Sequence, residues 1–254
     1  MEIPRVELQG VSMNYHTPEG ETAAVANLNL TIEKGEFLSL IGPSGCGKST
    51  ILALIVGLLN PTAGKVLVDG IPVSGTHSKI GFMPQRDQLF PWRTILQNVL
   101  IGFEARGKLT EDHRVKGREL LVKYGLGEFL HHFPHQLSGG MRQKAALIRT
   151  LVMDPEILLL DEPFSALDYQ TRLSIADEVW KIIVNENKTT LLVTHDISEG
   201  ISMSDRVAVL SKRPAHVKTV LTMTLSGERA PMARRKAPEF SGYFNTIWKE
   251  LDVH

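Results

Sequence analysis

The chain opens with two stretches in which apolar and polar residues alternate, VELQGVSMNY and AVANLNLTI. A period of two places the apolar side chains on one face of an extended segment, so both stretches are predicted to be half-buried antiparallel strands. The segment Phe37–Ile41, FLSLI, is a nearly unbroken apolar run that leads into a glycine-rich loop, which is typical of a central strand buried on both faces. A helix is predicted from Lys48, and further strands are predicted at GKVLVDG and KIGFMPQ.

From Thr94 to Thr150 the apolar spacing becomes helical, in TILQNVLIGFEARG, EDHRVKGRELLVKYG and MRQKAALIRTLVM. Strands and helices then alternate: ILLLD, a helix from about Asp168 to Asn187, TTLLVTHD, a short helix, RVAVLS and VKTVLTM. This alternation predicts an α/β fold with a mainly parallel sheet, in which the helical block is an insertion. The stretch SGERAPMARRKAP is predicted to be a linker to a final helix, Glu239–Leu251.

The composition narrows the class of protein. Lys and Arg number 28, as do Asp and Glu, so the formal net charge of zero argues against a strongly basic protein and we expect no nucleic-acid partner. Cys46 is the single cysteine of the 254 residues, which excludes an intrachain disulfide and favours a reducing compartment. The longest apolar run, Ile51–Leu59, is shorter than the roughly 20 residues of a membrane span, and the N-terminus has no signal-peptide pattern. We therefore expect a soluble, cytoplasmic protein.

The segment GPSGCGKST matches G-x-x-x-x-G-K-[ST], and it lies between a predicted buried strand and a predicted helix, as that phosphate-binding loop requires. Its backbone N–H groups and the helix N-terminus would hold phosphate oxygens. Lys48 would reach the β- and γ-phosphates, and Ser49 would bind Mg²⁺. Cys46 is interpreted as a small residue that fills the loop, rather than as a redox thiol. The residues predicted to contact the nucleotide here are Gly42, Pro43, Ser44, Gly45, Cys46, Gly47, Lys48, Ser49 and Thr50.

Polar side chains follow three of the predicted strands. Asp161 and Glu162 end ILLLDE, and we expect Asp161 to hold Mg²⁺ and Glu162 to polarise an attacking water; the alternative is a solvated pair that caps the next turn. His195 follows TTLLVT, where it would hydrogen-bond the γ-phosphate or the water, although a lone histidine is more often structural. Gln85 in MPQ also follows a strand, and its amide is predicted to bind Mg²⁺ and to sense its presence.

A second phosphate-like element occurs about ninety residues later, at Ser138, Gly139 and Gly140. Ser138 is a good N-cap for the following helix, and the glycines would let an anion approach the backbone closely. The alternative is an ordinary helix start. Because this element lies in the helical insertion, far in sequence from the first loop, we expect it to bind phosphate held by another copy of the chain. Two copies arranged head to tail would then enclose two ATP molecules.

Taken together, these motifs resemble those of the nucleotide-binding subunit of ATP-binding cassette (ABC) transporters, over almost the whole chain. GPSGCGKS resembles the Walker A motif, ILLLDE the Walker B motif, LSGGMRQK the family signature, and Ser165–Asp168, SALD, the D-loop. Gln85 matches the Q-loop and His195 the switch histidine of the H-loop. Tyr15 matches the aromatic residue that stacks on adenine; taken alone it would be an ordinary strand aromatic.

The resemblance implies a P-loop NTPase fold of the ABC type, with a mainly parallel core sheet, an N-terminal antiparallel β subdomain and an inserted α-helical subdomain. It implies a nucleotide-binding domain over 1–225, with the helical subdomain at about 94–155, and a linker with an amphipathic helix over 226–254. ATP and Mg²⁺ are the implied cofactors, a head-to-tail homodimer the implied assembly, and ATP hydrolysis coupled to transport the implied reaction. The subunit would lie peripherally on the cytoplasmic face of the membrane.

More narrowly, MPQRDQLFPWRTILQNV and the single cassette with a short C-terminal helix are similar to the nitrate, sulfonate and taurine branch of bacterial importers. This implies permease subunits that dock at Gln85–Trp92, and a periplasmic or lipid-anchored solute-binding protein that acts through them. Phe90 and Trp92 would anchor that interface; the alternative is that they pack under the helical insertion. An exporter ATPase, or a soluble ABC ATPase of DNA repair or translation, is the alternative function.

Four further features carry expectations. The commonest family signature has Gln where Met141 stands, and because Met cannot complete a capping box with Ser138, we expect a simpler cap. HHFPH is interpreted as a surface loop rather than a metal site. ARRK, 233–236, is interpreted as a solvated linker rather than a lipid contact. The final helix has an apolar face that is either core or a partner surface, formed by Phe240, Phe244, Ile247, Trp248 and Leu251.

Overall fold

Two sheets organise the computed structural model, which describes residues 3–18 and 20–251. The strands within these residues are β1 Val6–Thr17, β2 Gly20–Ile32, β3 Phe37–Ile41, β4 Ala63–Val68, β5 Ile71–Pro72, β6 Ile80–Met83, β7 Ile157–Asp161, β8 Thr189–Thr194, β9 Arg206–Leu210 and β10 Val217–Thr222. The α-helices are α1 Lys48–Val56, α2 Ile95–Ala105, α3 Glu111–Lys123, α4 Gly139–Leu151, α5 Tyr169–Asn185, α6 Ile197–Met203, α7 Pro231–Arg234 and α8 Phe240–Glu250. The predicted α/β fold is confirmed.

The larger sheet has the order β10-β9-β3-β8-β7-β6, and it is parallel except for β10. Strands β3 and β8 are buried at every position, because α1 and the smaller sheet cover one face of the large sheet and helices such as α4 and α5 cover the other. Parallel strands end at one edge of the sheet, so the residues that follow β3, β7 and β8 meet there. This edge positions the phosphate loop, the Asp161–Glu162 pair and His195.

The smaller sheet, β2-β1-β4-β5, is antiparallel, in agreement with the alternating pattern of its first two strands. Its buried side chains join those of β3 and α1 in one hydrophobic cluster. The loop between β9 and β10 binds it to the larger sheet, since the amide of Ala215 donates to Ala24 O and the amide of Ala26 donates to Ala215 O, both at 2.9 Å. This contact brings the small sheet against the phosphate loop.

Helices α2, α3 and α4 pack on one another around their own apolar cluster, which includes Val99, Leu121 and Ile148. Helix α2 begins with a capping box in which Thr94 and Gln97 bond reciprocally, and α3 begins with the same arrangement at Thr110 and His113. Helical structure is therefore present where the apolar spacing predicted it. None of the helices in the described residues is long and apolar enough to cross a membrane.

The C-terminal part of the chain corrects one expectation. ARRK is not a solvated stretch, because Arg234 is 5% exposed and donates to Ser202 O and Ser204 O at 3.2 and 2.7 Å. The apolar face of α8 serves both expected uses: Ile247 and Leu251 lie in the core beside α6, whereas Trp248 remains 48% exposed. In HHFPH, residues 134–136 form a 3-10 turn, and within residues 3–18 and 20–251 no cluster of His, Cys, Asp and Glu could hold a metal ion. The last three residues of the range 226–254 lie outside the described part.

Candidate functional site

The loop between β3 and α1 curls in the way its glycines permit. Gly45 and Gly47 have φ angles of +74° and +126°, in the region that side chains rarely adopt. A Cβ atom at Gly47 would lie 2.8 Å from Ala24 O, so the small sheet also leaves no room for a side chain there. The conformation of the loop and the packing beside it therefore both require glycine at this position.

Lys48 lies across this loop rather than pointing to solvent. Its side chain is 6% exposed, and its Nζ donates to Gly42 O at 2.8 Å and to Pro43 O at 3.0 Å. The Cys46 thiol is buried beneath the loop, and burial raises its pKa. A buried thiol of raised pKa is a poor nucleophile, which agrees with the interpretation of Cys46 as a residue that fills space.

Asp161 and Glu162 emerge from the end of β7 beside the loop. The Ser49 hydroxyl donates to Asp161 Oδ2 at 3.1 Å, and burial raises the pKa of Asp161 despite that hydrogen bond. Glu162 adopts a φ of +43°, which is strained for a residue with a side chain, and its amide donates to Val193 O of the adjacent strand at 2.8 Å. The backbone of Glu162 is thus held in a sparsely populated conformation at the sheet edge.

The Glu162 carboxylate is the centre of the site. Its Oε2 lies 3.1 Å from His195 Nδ1 and accepts a hydrogen bond from Gln85 Nε2 at 3.2 Å, while its Oε1 lies 3.9 Å from Lys48 Nζ. Gln85 lies two residues beyond Met83, the last residue of β6, and not at the strand end itself. The structure therefore brings together side chains from four loops that are separated by up to 147 residues along the chain. We name Lys48, Gln85, Glu162 and His195 the Glu162 cluster.

Lys48, Gln85 and Glu162 of this cluster border a cleft of about 330 Å³, whereas His195 is not among the described residues that line it. Arg213, which was not among the residues predicted from the sequence, also borders it, and Arg213 Nε donates to Ala23 O at 3.2 Å. The sequence could have indicated this residue, because Arg213 follows β9, which runs parallel to β3 and ends at the same sheet edge. The cleft is lined by Ala24, Ser44, Gly45, Gly47, Lys48, Ser49, Thr50, Gln85, Asp161, Glu162 and Arg213.

Tyr15 and the residues Ser138–Gly140 do not line this cleft in the described part of the chain. The Tyr15 hydroxyl lies 3.1 Å from Thr50 Oγ1, which places the tyrosine beside the start of α1. Ser138 caps α4 by accepting from the amide of Met141 at 3.3 Å without a reciprocal bond, as expected for Met at that position. Packing also requires glycine at position 140, which the sequence did not indicate, since a Cβ there would lie 2.6 Å from Ile175 of α5.

Behind His195 lies a buried carboxyl group that the sequence analysis also missed. Glu199, in the first turn of α6, is 3% exposed and accepts a hydrogen bond from the Thr194 hydroxyl at 2.7 Å. Burial raises the pKa of Glu199 to about 7, although the hydroxyl and the nearby Arg172 favour the charged form. The carboxyl group therefore titrates near neutral pH.

This raised pKa makes the stability of the fold depend on pH. The folded protein binds the Glu199 proton more tightly than the unfolded chain does. The contribution of Glu199 to the free energy of unfolding therefore falls as the pH rises from 4.5 through 7. The full difference is about 3 kcal/mol. The side chain of Glu199→Gln cannot titrate. The melting temperature of this variant, relative to that of the unmodified protein, should therefore increase from pH 5 to pH 8. Thermal unfolding across that range checks this, and parallel curves for the two proteins would contradict it.

Comparison of the sequence with known proteins identifies the family of this chain. The sequence profile of ABC transporters matches residues 25–165, which is more than half of the chain. The chain belongs to the ABC transporter family. It is an ABC ATPase, in which ATP hydrolysis is coupled to transport.

Relatives match along most of the cassette. The ABC transporter ATP-binding protein YtlC of Bacillus subtilis is 44% identical over 243 residues, which cover 95% of this chain and 94% of that protein. The taurine import ATP-binding protein TauB of Yersinia pestis is 40% identical over 221 residues, which cover 85% and 87% of the two chains. The dimeric post-hydrolysis structure of the cassette MJ0796, bound to ADP and phosphate, has a TM-score of 0.73 at 36% identity and covers 86% of this chain and 99% of its own.

Proposed function

We propose that this ABC ATPase powers the uptake of a small solute of the taurine, sulfonate or nitrate type, as a homodimer beneath a membrane permease. The Glu162 cluster is the observation that carries the proposal for catalysis, because it assembles a carboxylate with three polar partners beside the phosphate loop. The likeness to taurine import proteins over 85% of the chain supports the direction of transport. The subunit would lie on the cytoplasmic face of the membrane.

The cleft is built to take the triphosphate of ATP. The curled backbone from Gly42 to Gly47 and the N-terminus of α1 supply N–H groups and a positive dipole end. Lys48, now bonded to two carbonyl groups of the loop, supplies a buried positive charge for the β- and γ-phosphates. Tyr15, beside Thr50, would stack on the adenine.

The residues beside Ser49 fit a magnesium ion. The Ser49 hydroxyl and the Asp161 carboxylate are 3.1 Å apart, and Gln85 lines the same cleft, so the cleft offers three side chains with oxygen ligands of the kind that Mg²⁺ prefers. Burial and the neighbouring Glu162 raise the pKa of Asp161, so a bound cation would favour its charged form. Ser49, Asp161 and Gln85 would hold the ion. When bound, Mg²⁺ neutralises charge on the β- and γ-phosphate oxygens.

Glu162 and His195 would carry out the hydrolytic step. The Glu162 carboxylate accepts a hydrogen bond from Gln85, and it would accept a proton from the water that attacks the γ-phosphate. His195, with its side chain 54% exposed and its Nδ1 beside Glu162, leaves its other ring nitrogen available to hydrogen-bond the γ-phosphate or the attacking water. The cluster thus places a proton acceptor and a phosphate-binding group next to each other.

The site would be completed by a second copy of the chain. Ser138 is exposed at the N-cap of α4 and lies outside the cleft of its own chain. A helix start of this kind binds anions, and the nucleotide in the cleft of a partner is the anion that the proposed reaction provides. The related MJ0796 cassette is dimeric in its post-hydrolysis state. A head-to-tail homodimer would therefore enclose two ATP molecules.

The loop after Gln85 would receive the permease. Trp92 is 70% exposed, so it does not pack under the helical insertion, and its ring centroid lies 5.3 Å from that of Phe90. Buried Asn98 of α2 shapes this loop, because its Nδ2 donates to Phe90 O and its Oδ1 accepts from the amide of Phe90. Beside Trp92 lies a groove of about 480 Å³, lined also by Arg93, Leu96, Gln97, Leu100, Glu104, Leu109 and Arg114.

The same loop is bonded to the helix that begins at the family signature. Arg149 of α4 donates to Asp87 O at 2.7 Å and to Gln88 O at 2.8 Å, and Arg142 Nε donates to Asp87 Oδ2 at 3.1 Å. A movement of the loop would therefore move α4 as well. Because Gln85 reaches Glu162 from the same loop, the permease-facing surface would be connected to both halves of the shared site.

We expect Trp92→Ala to weaken binding to the permease encoded beside this gene by about tenfold or more, because an exposed aromatic anchor would be lost from the interface. ATP hydrolysis by the isolated subunit should remain. The measurement is co-purification with the permease, followed by solute uptake in vesicles. Trp248→Ala is the matched control, since Trp248 is also exposed but lies on α8. Equal binding by both variants would contradict this docking surface. Efflux without a solute-binding protein would favour an exporter.

A further inference from the structure

The D-loop segment, Ser165–Asp168, connects β7 to α5 and lies against the family signature. Asp168 caps α5 by accepting from the amide of Thr171 at 3.0 Å. A Cβ atom on Gly139 would lie 3.0 Å from Leu167 Cδ2, so the side chain of Leu167 packs closely on the start of α4. The backbone carbonyl of Leu167 accepts a hydrogen bond from α5.

Arg172, in the first turn of α5, contacts that carbonyl and two acids of α6. Its Nη2 donates to Leu167 O at 3.1 Å, its Nη1 lies 3.5 Å from Asp196 Oδ2, and its Nε lies 3.9 Å from Glu199 Oε1. Within residues 3–18 and 20–251 this buried Nε makes no hydrogen bond. The guanidinium group is therefore wedged between the D-loop and the start of α6.

Both acids belong to the turn that carries His195: Asp196 is the next residue, and Glu199 accepts a hydrogen bond from Thr194, the residue before. Asp196 follows His195 directly and caps α6, with its Oδ1 accepting from the amides of Ser198 and Glu199. Thr194 precedes His195, and its hydroxyl donates to Glu199 Oε2 at 2.7 Å while accepting from the amide of Asp196 at 3.0 Å. The turn that carries His195 is thus closed by the groups that Arg172 contacts.

Arg172 differs from the other charged groups around the Glu199 carboxyl group. Charged groups near it are Asp196 at the N-cap of its own helix, Arg172 from α5 and Arg235 from the segment after α7. Arg172 alone among these three also bonds to the D-loop. Removing water from charged groups is costly, so the ion pairs of Arg172 are weak evidence that it adds stability.

We propose that Arg172 is a positioning residue for ATP hydrolysis: it fixes the turn that carries His195 to the D-loop, and through Leu167 to the start of the signature helix. The proposal rests on the role given to His195 under Proposed function. Closure of a second copy on Ser138–Gly140 and the D-loop would be transmitted to His195 by this side chain. The reacting groups themselves are contacted by His195 and Glu162, not by Arg172.

The first test replaces Arg172 by Lys, which keeps the charge but replaces the planar guanidinium by one compact ammonium group that cannot reach Leu167 O and both acids in the same geometry. We expect Arg172→Lys in the full chain to lower kcat for ATP hydrolysis by about tenfold or more, because misplacement of a reacting group by 1 Å is sufficient for such a loss. The KM for ATP and the equilibrium binding of ATP should change less than about twofold, because the phosphate loop is untouched. The melting temperature is recorded alongside.

Arg206→Lys is a closely matched control. Arg206 pairs with Glu36 at 2.9 Å, and the exposed side-chain fractions of this pair, 26% and 7%, resemble the 22% and 4% of Arg172 and Glu199. The Arg206 pair lies at the amino ends of β3 and β9, opposite the cleft. Equal losses of kcat in the two variants would show a general structural effect and would overturn the proposal, as would a normal kcat in Arg172→Lys.

A double-variant cycle separates this proposal from the role of His195. If Arg172 acts through His195, residual turnover in His195→Ala should be the same with and without Arg172→Lys, since a positioning effect has nothing left to position. A further tenfold loss in the double variant would overturn the role of Arg172 and leave that of His195 intact. Normal turnover in His195→Ala would instead contradict the proposed function, on which this inference rests.

Discussion

Replacing Glu162 with Gln is expected to lower steady-state ATP hydrolysis by a factor of about a hundred or more, because the amide cannot accept the proton of the attacking water. The substitution preserves the size of the side chain, so the contact with Gln85 and the strained backbone of Glu162 should persist. ATP should remain bound, since Lys48 and the loop glycines are unchanged. The measurements are phosphate release and retention of labelled ATP.

The same variant should accumulate as a dimer when ATP and Mg²⁺ are added, because hydrolysis can no longer reopen the shared site. Light scattering with and without ATP detects this change. Glu156→Gln is the matched control: Glu156 precedes the opposite end of β7 and forms ion pairs with Arg5 and Lys79 outside the cleft. Unchanged turnover in Glu162→Gln would remove Glu162 from the chemical step.

Replacing Ser138 with Arg is expected to lower turnover by about a hundredfold or more without weakening the binding of ATP to a single chain. Ser138 is exposed and lies outside the cleft of its own chain, so the bulky cation would obstruct only a partner's nucleotide. Two measurements check this: the ATP affinity of the variant by calorimetry, and its turnover at saturating ATP. Thr110→Arg is the matched control, since it removes a comparable N-cap from α3 in the same helical region.

Mixing two inactive variants tests the shared site directly. In a head-to-tail dimer of Ser138→Arg with Glu162→Gln, one of the two sites contains Glu162 from the first chain and Ser138 from the second, and is therefore intact. Turnover of the mixture should exceed that of either variant alone. A site contained in one chain predicts no recovery, and normal turnover in Ser138→Arg would contradict the contribution of a second copy.

The local features of the site follow from the sequence because short segments determine them. The apolar run Phe37–Ile41, the glycines after it and Lys48 define a strand, a turn and a helix within fourteen residues, Phe37 to Thr50. Strand ends at Asp161 and His195 are equally local, since the apolar runs 157–160 and 191–193 come immediately, or one residue, before them. Parallel pairing then brings these ends to one edge without further information. The fold was predictable for the same reason.

The contacts that depend on distant parts of the chain were not predictable from these patterns. Asn98 resembles an ordinary polar position in an amphipathic helix until the fold places the carbonyl of Phe90 beside it. Arg234 stands in a basic stretch typical of a solvated linker, yet three carbonyl groups from other segments bury it. A hydrogen-bonding partner far along the chain leaves no periodicity in the sequence around either residue.

By itself, the sequence determined the α/β fold, the phosphate loop, and the residues that meet at the sheet edge, because strand periodicity and loop chemistry act over a few residues. Only the tertiary structure decided which of those side chains touch: Glu162 contacts Lys48, Gln85 and His195, whereas Ser138 lies outside the cleft. It alone placed Arg172 between the D-loop and α6. Such contacts join residues that packing, rather than local pattern, brings within a few ångströms.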